Sequence, residues 1–506
     1  MYRILTASKD TYITNKIINN SFRATDANVG EAGSLDLFKL YDENSVGSES
    51  KPIELSRLLI KFPISEITSM NSLGLIDIND SSFKCEIKLH DIYGGQTTPR
   101  KFTTILFPLA QKFDEGVGMN VATYSDVDAT NYITASISQG LKVAWNQPGA
   151  MASGSLGASN LDVIVSGTLD DSVGAISLSP TQHFETGTED LHIDITAIVS
   201  GTIASKIPDH GFLIGFSGSF ETNTNSYFVK RFASRNVQIS AKRPKLIVKY
   251  NDSVLDNHSN MIFNVSSSLY LNNYHRDTAA NILSGAAATA LTGENCIFCK
   301  IESGSYKKIF TGSQAKRGTG RVTGLYSASF ALSSFDPILY KQANLTGSIK
   351  FNEIWTNANE TVTYSSSSLT VKKESRQVAN TINQNNILVS VLNLNDEYSP
   401  GEVIKLRIFA ENRDKDITFT KKPFEKKSEI FNNMHFRLRD VIDGNLLFDF
   451  DKNDNSTRLS TDSDGMYFSF YTDSLPRGRI YTFEFLIVRN GIDKVVKDAA
   501  SKFKVV

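Results

Sequence analysis

Apolar residues in this chain recur at every second position much more often than at every third or fourth. Cys85-Glu86-Ile87-Lys88-Leu89-His90 alternates with period two, as does Lys245-Leu246-Ile247-Val248-Lys249-Tyr250. Successive strand side chains point to opposite faces, so this alternation predicts strands with one buried face. Strand-like runs open the chain at Asp10-Thr11-Tyr12-Ile13, Leu35-Asp36-Leu37-Phe38 and Ser56-Arg57-Leu58-Leu59-Ile60-Lys61-Phe62. Further strands are predicted at 261–265, 296–301, 324–331, 348–355, 403–410, 465–471 and 481–488. Leu388-Val389-Ser390-Val391-Leu392 is almost continuously apolar and predicts a strand buried on both faces. Gly94-Gly95, Asp443-Gly444 and Asp464-Gly465 mark turns between such runs. Helices are expected only over Leu191–Val199 and Asp277–Ala290. No fixed-period repeat occurs, which argues against a solenoid. The expected class is all-β.

A chain of 506 residues suggests several domains at ~100–200 residues each. The first is placed at 1–250, with its opening and closing strands near its two ends. Its segment 119–167 is rich in Ser, Gly, Ala and Asn and reads as a surface excursion or a mobile insert. A second β-sandwich is expected over 251–384. The third, over 385–506, opens with a strand, the Pro400-Gly401 turn and the alternating run Val403-Ile404-Lys405-Leu406-Arg407-Ile408. That is the layout of an immunoglobulin-like sandwich edge.

Charge narrows the partners. With 53 basic and 54 acidic residues the net charge is −1, so no overall field draws the chain to nucleic acid or a membrane surface, and neither is an expected partner. No apolar run approaches the ~20 residues that span a bilayer. Met1-Tyr2-Arg3-Ile4-Leu5-Thr6 lacks the apolar core of a signal peptide, so folding in a cytosol is expected. Three cysteines, too few for a disulfide framework, agree with this.

No segment carries a recognisable catalytic set. Cys296-Ile297-Phe298-Cys299 would need two more ligands to hold zinc, and strand positions i and i+3 face opposite ways. Buried structural cysteines are the expectation. Asp449-Phe450-Asp451-Lys452-Asn453-Asp454-Asn455 spaces oxygens like a calcium loop but lacks its glycine and its closing Glu. Together with Asp462-Ser463-Asp464-Gly465 it reads as Asx-bonded hairpin turns. Gly318-Thr319-Gly320-Arg321 can cradle an anion, but a turn is the simpler reading. The histidines at 90, 183, 192, 210, 258, 275 and 435 show no metal spacing. Asp114-Glu115 and Glu189-Asp190 are the carboxylate pairs to weigh for glycoside hydrolysis. Of the two tryptophans, Trp145 precedes Asn146-Gln147-Pro148-Gly149 and is expected to pack under a turn. No catalytic, cofactor-binding or metal-ligating residue is therefore assigned, and no cofactor is expected.

The order of framework residues over 1–250 resembles the DNRLRE-type jelly-roll module. The resemblance is carried by Asp10-Thr11-Tyr12-Ile13, Asn28-Val29-Gly30, Arg57 in its apolar run, and Phe113-Asp114-Glu115-Gly116-Val117-Gly118. It continues through Trp145-Asn146-Gln147-Pro148-Gly149, Leu191-His192-Ile193-Asp194-Ile195-Thr196, Ser234-Arg235-Asn236 and Arg243-Pro244-Lys245. It implies a jelly roll, and it explains Glu115-Gly116 and Glu189-Asp190-Leu191 better than hydrolysis does. Asn236 stands where the family has an acid, which puts the local salt bridge in question. Asp10 with Arg57 or Arg235 is expected to form a rigid polar knot, a device that fixes geometry more than it adds stability.

With no leader and with two further sandwiches, the whole resembles virion structural proteins of large tailed, myovirus-like phages. That implies a non-enzymatic neck, tail or baseplate component, assembled in the host cytoplasm. Its partners would be other virion proteins and copies of itself. The alternative is a glycan-binding adhesin or receptor-binding protein that contacts host surface glycan, with surface tyrosines of the 119–167 insert as the readers.

Overall fold

The computed structural model describes residues 1–506 except 125, 127, 374–386, 413–427 and 490. The expected boundary at 384/385 lies outside the described residues. Strand accounts for 47% of the chain and helix for 7%, so the protein is all-β. Two compact units form. One comprises Arg3–Ser69 and Lys84–Val248, the other Met1–Tyr2, Met70–Phe83 and Lys249–Val506.

The first unit is a jelly roll. Its framework is eight strands: Tyr2–Thr6, Ile53–Lys61, Lys84–Leu89, Phe102–Pro108, Thr181–Phe184, Leu191–Asp194, Phe212–Phe216 and Lys245–Lys249. Counted along the chain, the first, eighth, third and sixth lie side by side in one sheet. The second, seventh, fourth and fifth lie side by side in the other. That interleaving is the double Greek key of a jelly roll. Lys9–Thr14, Ser34–Tyr41 and Tyr227–Ala233 extend the second sheet. Alternation is realised as expected in Lys84–Leu89, where Cys85, Ile87 and Leu89 are fully buried between half-exposed neighbours.

From Thr134 onward the insert packs on the jelly roll. It forms the strand pair Thr134–Ser138 and Leu141–Ala144 and a second sheet around Val163–Asp170. Ala135, Trp145, Ala150 and Val163 share an apolar core with Ile13, Leu59 and Leu213 of the jelly roll. Small residues there permit close packing, which composition alone reads as looseness.

In the second unit, residues 267–372 form a six-stranded antiparallel sheet. The long strand Tyr306–Arg317 pairs with Ile297–Ser303 along its first half and with Gly320–Phe330 along its second. Residues from both ends of this sheet, among them Leu269, Tyr326, Cys299 and Trp355, meet in one core. Residues 387–506 are immunoglobulin-like. One sheet runs Ile387–Val391, Val403–Asn412, Gly465–Tyr471, Ser460–Asp462. The other runs Glu397–Tyr398, Ile492–Val505, Ile480–Arg489, Met434–Asp440, Leu446–Phe448. Glu397–Tyr398 joins the last strand in parallel. Tyr481, near the start of its strand, donates its hydroxyl to Pro476 O at 2.6 Å, the tyrosine corner of such sandwiches.

Four local expectations are corrected. Residues 277–290 carry the short strands Thr278–Ala279, Leu283–Ser284 and Thr289–Ala290 instead of a helix. Gly285 at their turn has φ +72°, where a helix cannot continue. Met261 and Phe263 are buried, but only Ile262 forms a β-bridge, with Lys372. Ile387–Val391 buries Ile387 and Val389 while its other positions are half-exposed, so it is buried on one face. The segment 191–199 is split: Leu191–Asp194 is a strand and the helix is Thr196–Ile203.

Candidate functional site

The framework residues that are distant in sequence converge on one polar knot in the jelly-roll unit. The Asp10 N–H donates to Glu115 Oε1 at 2.8 Å, and Asp10 Oδ2 accepts the Arg235 N–H at 2.6 Å. The Arg235 guanidinium grips Glu115 through two bonds of 2.5 and 2.7 Å. Asn28 closes the knot. Its Nδ2 donates to Glu115 O at 2.8 Å and Thr130 O at 2.9 Å, and its Oδ1 accepts the N–H of Gly30 at 3.1 Å and of Gly118 at 2.9 Å. A Cβ on Gly118 would lie 2.0 Å from Asn28 O, so only glycine lets these backbones touch.

Burial, with Glu115 beside it, pushes the Asp10 carboxyl up to about 7, against the Arg235 N–H and guanidinium. Its Oδ1 is buried without a hydrogen-bond partner. Of the two arginines expected to partner Asp10, Arg235 takes part through its backbone. Arg57 does not: it pairs with Glu221 at 3.0 and 2.5 Å and donates to Gly149 O. Asn236 donates Nδ2 to Gly30 O at 3.0 Å, a bond no carboxylate can make. Glu115 supplies the ion pair instead.

A second hub was not visible in sequence. Asp162, fully buried, accepts the N–H groups of Asn146, Gln147 and Ala152 at 2.8 to 3.0 Å, and Gln111 Nε2 at 3.0 Å. It fixes the turn above Trp145, whose Nε1 donates to Asn131 O at 3.0 Å. Trp145 therefore packs under a turn, as expected.

A cleft of about 940 Å³ opens in the same unit, at the ends of Ser34–Tyr41 and Tyr227–Ala233 and between the loops 93–100, 186–188 and 224–226. Tyr93 and Phe228 stand in it, 74% and 44% exposed. Phe228 is aimed there by a bulge: Tyr227 pairs with Lys39 and Lys230 with Leu37, so two residues oppose one. Two fully buried lysines hold the walls. Lys39 Nζ donates to Asn223 O, to Asn223 Oδ1 at 2.9 Å and to Asn225 O at 2.6 Å. Lys230 Nζ pairs with Asp91 and donates to Gly187 O at 2.8 Å and Glu189 O at 2.9 Å. Burial lowers both ammonium pKa values, and for Lys230 the Asp91 carboxylate opposes that shift. Gly187, at φ +81°, lies so near Pro99 O that a Cβ would sit 1.7 Å from it, so only glycine lets the two remaining loops approach this closely.

No protein-family model matches the chain, and no curated protein matches it. Among solved structures, a chimeric titin Z1Z2–Z1Z2 tandem bearing a fibronectin GRGDS peptide is similar at 9% identity, over 49% of this chain and 94% of that one, with a TM-score of 0.14. A Bacteroides ovatus mixed-linkage glucan utilisation locus protein, SGBP-B with a heptasaccharide, is similar at 9% identity, over 58% of each chain, with a TM-score of 0.14. A Salmonella α2-macroglobulin reacted with methylamine is similar at 7% identity, over all of this chain and 28% of that one, with a TM-score of 0.14. The chain thus spans 58% of the Bacteroides protein and 28% of the macroglobulin. Superpositions this loose support no inference, and the fold class stands on the chain's own strands.

The other sequence candidates are committed locally. Cys85 and Cys299 are buried and Cys296 is half-buried; all three are free thiols. Burial raises the Cys299 pKa far above its ordinary value. Asp451 turns inward and accepts the N–H of Asn453 at 3.2 Å and of Asp454 at 3.0 Å, an Asx turn. Asp462 closes the hairpin to Gly465 and is held by Arg407. The Gly318–Gly320 loop does cradle an anion, and the anion is the protein's own Asp77. Its Oδ2 accepts Thr319 N at 2.6 Å, Thr319 Oγ1 at 2.7 Å and Gly320 N at 3.0 Å. Asp114 accepts Ile137 N at 2.8 Å, and Glu189 accepts the N–H of Glu185 and Thr186 at 3.1 and 2.8 Å. Among the described residues, no three His, Cys, Asp or Glu side chains cluster to hold a metal.

Proposed function

We propose that the chain is a non-enzymatic structural component of a tailed-phage virion, at the neck, tail or baseplate. It would act there as a multi-domain spacer and docking protein among other virion proteins and copies of itself. The reading rests on the DNRLRE-like framework over 1–250, and one observation supports it most. Asp10, Glu115, Asp162, Asp77, Lys39 and Lys230 each place at least one side-chain polar atom on a backbone group of another segment. Such use of buried charge fixes shape, as a load-transmitting spacer requires. Cryo-EM of purified particles is expected to reveal the chain in symmetric multiple copies, and its absence from the particle overturns the proposal.

The alternative, a glycan-binding adhesin or receptor-binding protein, is favoured by a different observation, the aromatic cleft. The tyrosines expected to read glycan in the insert are partly covered. Tyr132 is half-buried with its ring against Gly149, and Tyr124 is half-buried near Phe22.

A further inference from the structure

We propose that the cleft between loops 93–100, 186–188 and 224–226 is a binding site for a short neutral oligosaccharide, read by Tyr93 and Phe228. This goes beyond the spacer reading and does not depend on it. A protein absent from particles leaves the site untouched, and a site that binds nothing leaves the spacer intact.

Size comes first. About 940 Å³ lies at the upper end of the ~300–1,000 Å³ of small-ligand sites, which suits a chain of a few sugar rings. The chemistry follows from the lining. Tyr93 and Phe228 are large rings exposed within one concave surface, where an isolated exposed aromatic would need no explanation. Flat rings receive the C–H faces of pyranoses. Gln96, Asn225 and the threonines around them carry side chains that donate and accept, as sugar hydroxyls require. The lining holds one acid, Glu43, and one base, Arg100, so it selects for neither sign of charge.

The walls are preorganised. Lys39 pins 223–225, Lys230 pins 187–189, and Gly187 meets Pro99 without a side chain between them. Fixing loops in advance removes an entropic cost of binding. Burying two lysines is a costly way to shape loops that have no ligand. A peptide is the less suitable occupant. The outer edge of Tyr227–Ala233 is already taken at its far end, where Ile92 N donates to Arg231 O and Ala233 N to His90 O, each at 3.0 Å. An added strand could therefore not run on past Arg231, which leaves too short an edge for strand addition of ordinary length.

The test uses the full chain on arrays of defined neutral gluco-, galacto-, manno- and N-acetylglucosamine oligosaccharides, with sulfated and sialylated counterparts and a peptide array alongside. The best-bound neutral sugar is then titrated by calorimetry. Tyr93→Ala and Phe228→Ala are each expected to weaken binding about tenfold or more, while Tyr93→Phe keeps it. Phe335→Ala, at a 73% exposed ring in the other unit, is expected to leave binding unchanged. Unaltered melting temperatures separate lost binding from lost folding. Binding to no neutral glycan overturns the proposal, as does preference for sulfated glycans or peptides, or binding indifferent to both aromatic substitutions.

Discussion

Asp10 shows how one carboxyl can be structural and costly together. Its Oδ2 has the Arg235 N–H, its Oδ1 has nothing, and Glu115 lies close. With the folded carboxyl raised to about 7 and an unfolded value near ~4, both states are protonated below pH ~4 and the group exerts no penalty. Between ~4 and ~7 the unfolded chain ionises first, so stability falls as pH rises, and the full penalty stands above ~7. Asp10→Asn keeps an acceptor for Arg235 N and cannot ionise. The variant's stability relative to the parent is expected to grow from pH 4 to pH 8 by up to ~4 kcal/mol, the linkage limit for a shift of this size. Denaturant unfolding of both proteins across that range checks it, and a pH-independent difference would sink the assignment. Sequence order placed Asp10 and Arg235 in one knot because both belong to the framework. It missed that Arg235 bonds Asp10 by its backbone, since a long basic side chain facing an acid suggests an ion pair before any other geometry. Glu115 lay within the recognised Glu-Gly turn, so the true ion-pair partner was visible but given another role.

At the scale of elements, period-two alternation located the strands well because one face of most is buried and the other is not. The same parity held the missed lysines. Leu35, Leu37 and Lys39 lie on one face of Ser34–Tyr41, and Lys230 shares its face with Phe232. Polarity argued outward for both residues while position argued inward, and position was right. Their consequences differ by partner. Lys39 is held by carbonyls and an amide oxygen, so Lys39→Met loses those bonds but also removes a desolvated charge. Its expected effect is faster hydrogen exchange over Asn223–Tyr227, with global stability changed by only ~1 kcal/mol. Lys230→Met leaves Asp91 without its cation and is expected to destabilise the unit by ~3 kcal/mol or more. Thermal unfolding beside exchange mass spectrometry separates the two. Equal losses from both substitutions would refute the distinction. Tyr481 and Asp162 were illegible for another reason: a hydroxyl reaching five residues back, or an acid capping a distant turn, leaves no periodic trace.

At the scale of the molecule, chain order and folding unit part company. Met70–Phe83 belongs with Lys249–Val506, although jelly-roll strands precede and follow it. Its hold is concrete: Arg317 donates to Leu75 O, and the Gly318–Gly320 loop closes over Asp77. A glycine-rich loop flanked by basic residues advertises an anion site in sequence but cannot say that the anion is a side chain more than two hundred positions away. Burial raises the Asp77 carboxyl, yet the N–H and hydroxyl donors outweigh it and leave the pKa below its ordinary value. The sign follows directly. The stabilisation is present above the unfolded value of ~4 and is lost as pH falls through the folded one. Asp77→Ala is expected to lower the stability of its unit by ~1–2 kcal/mol at pH 7, because Thr319 and Gly320 exchange a charged acceptor for water, and by less below pH ~4. A fragment of residues 249–506 removes the whole segment and should unfold more readily still, with the Gly318–Gly320 amides losing exchange protection first. If the fragment melts where the full chain's unit melts and those amides stay protected, Met70–Phe83 is a passenger on that unit and no part of its core.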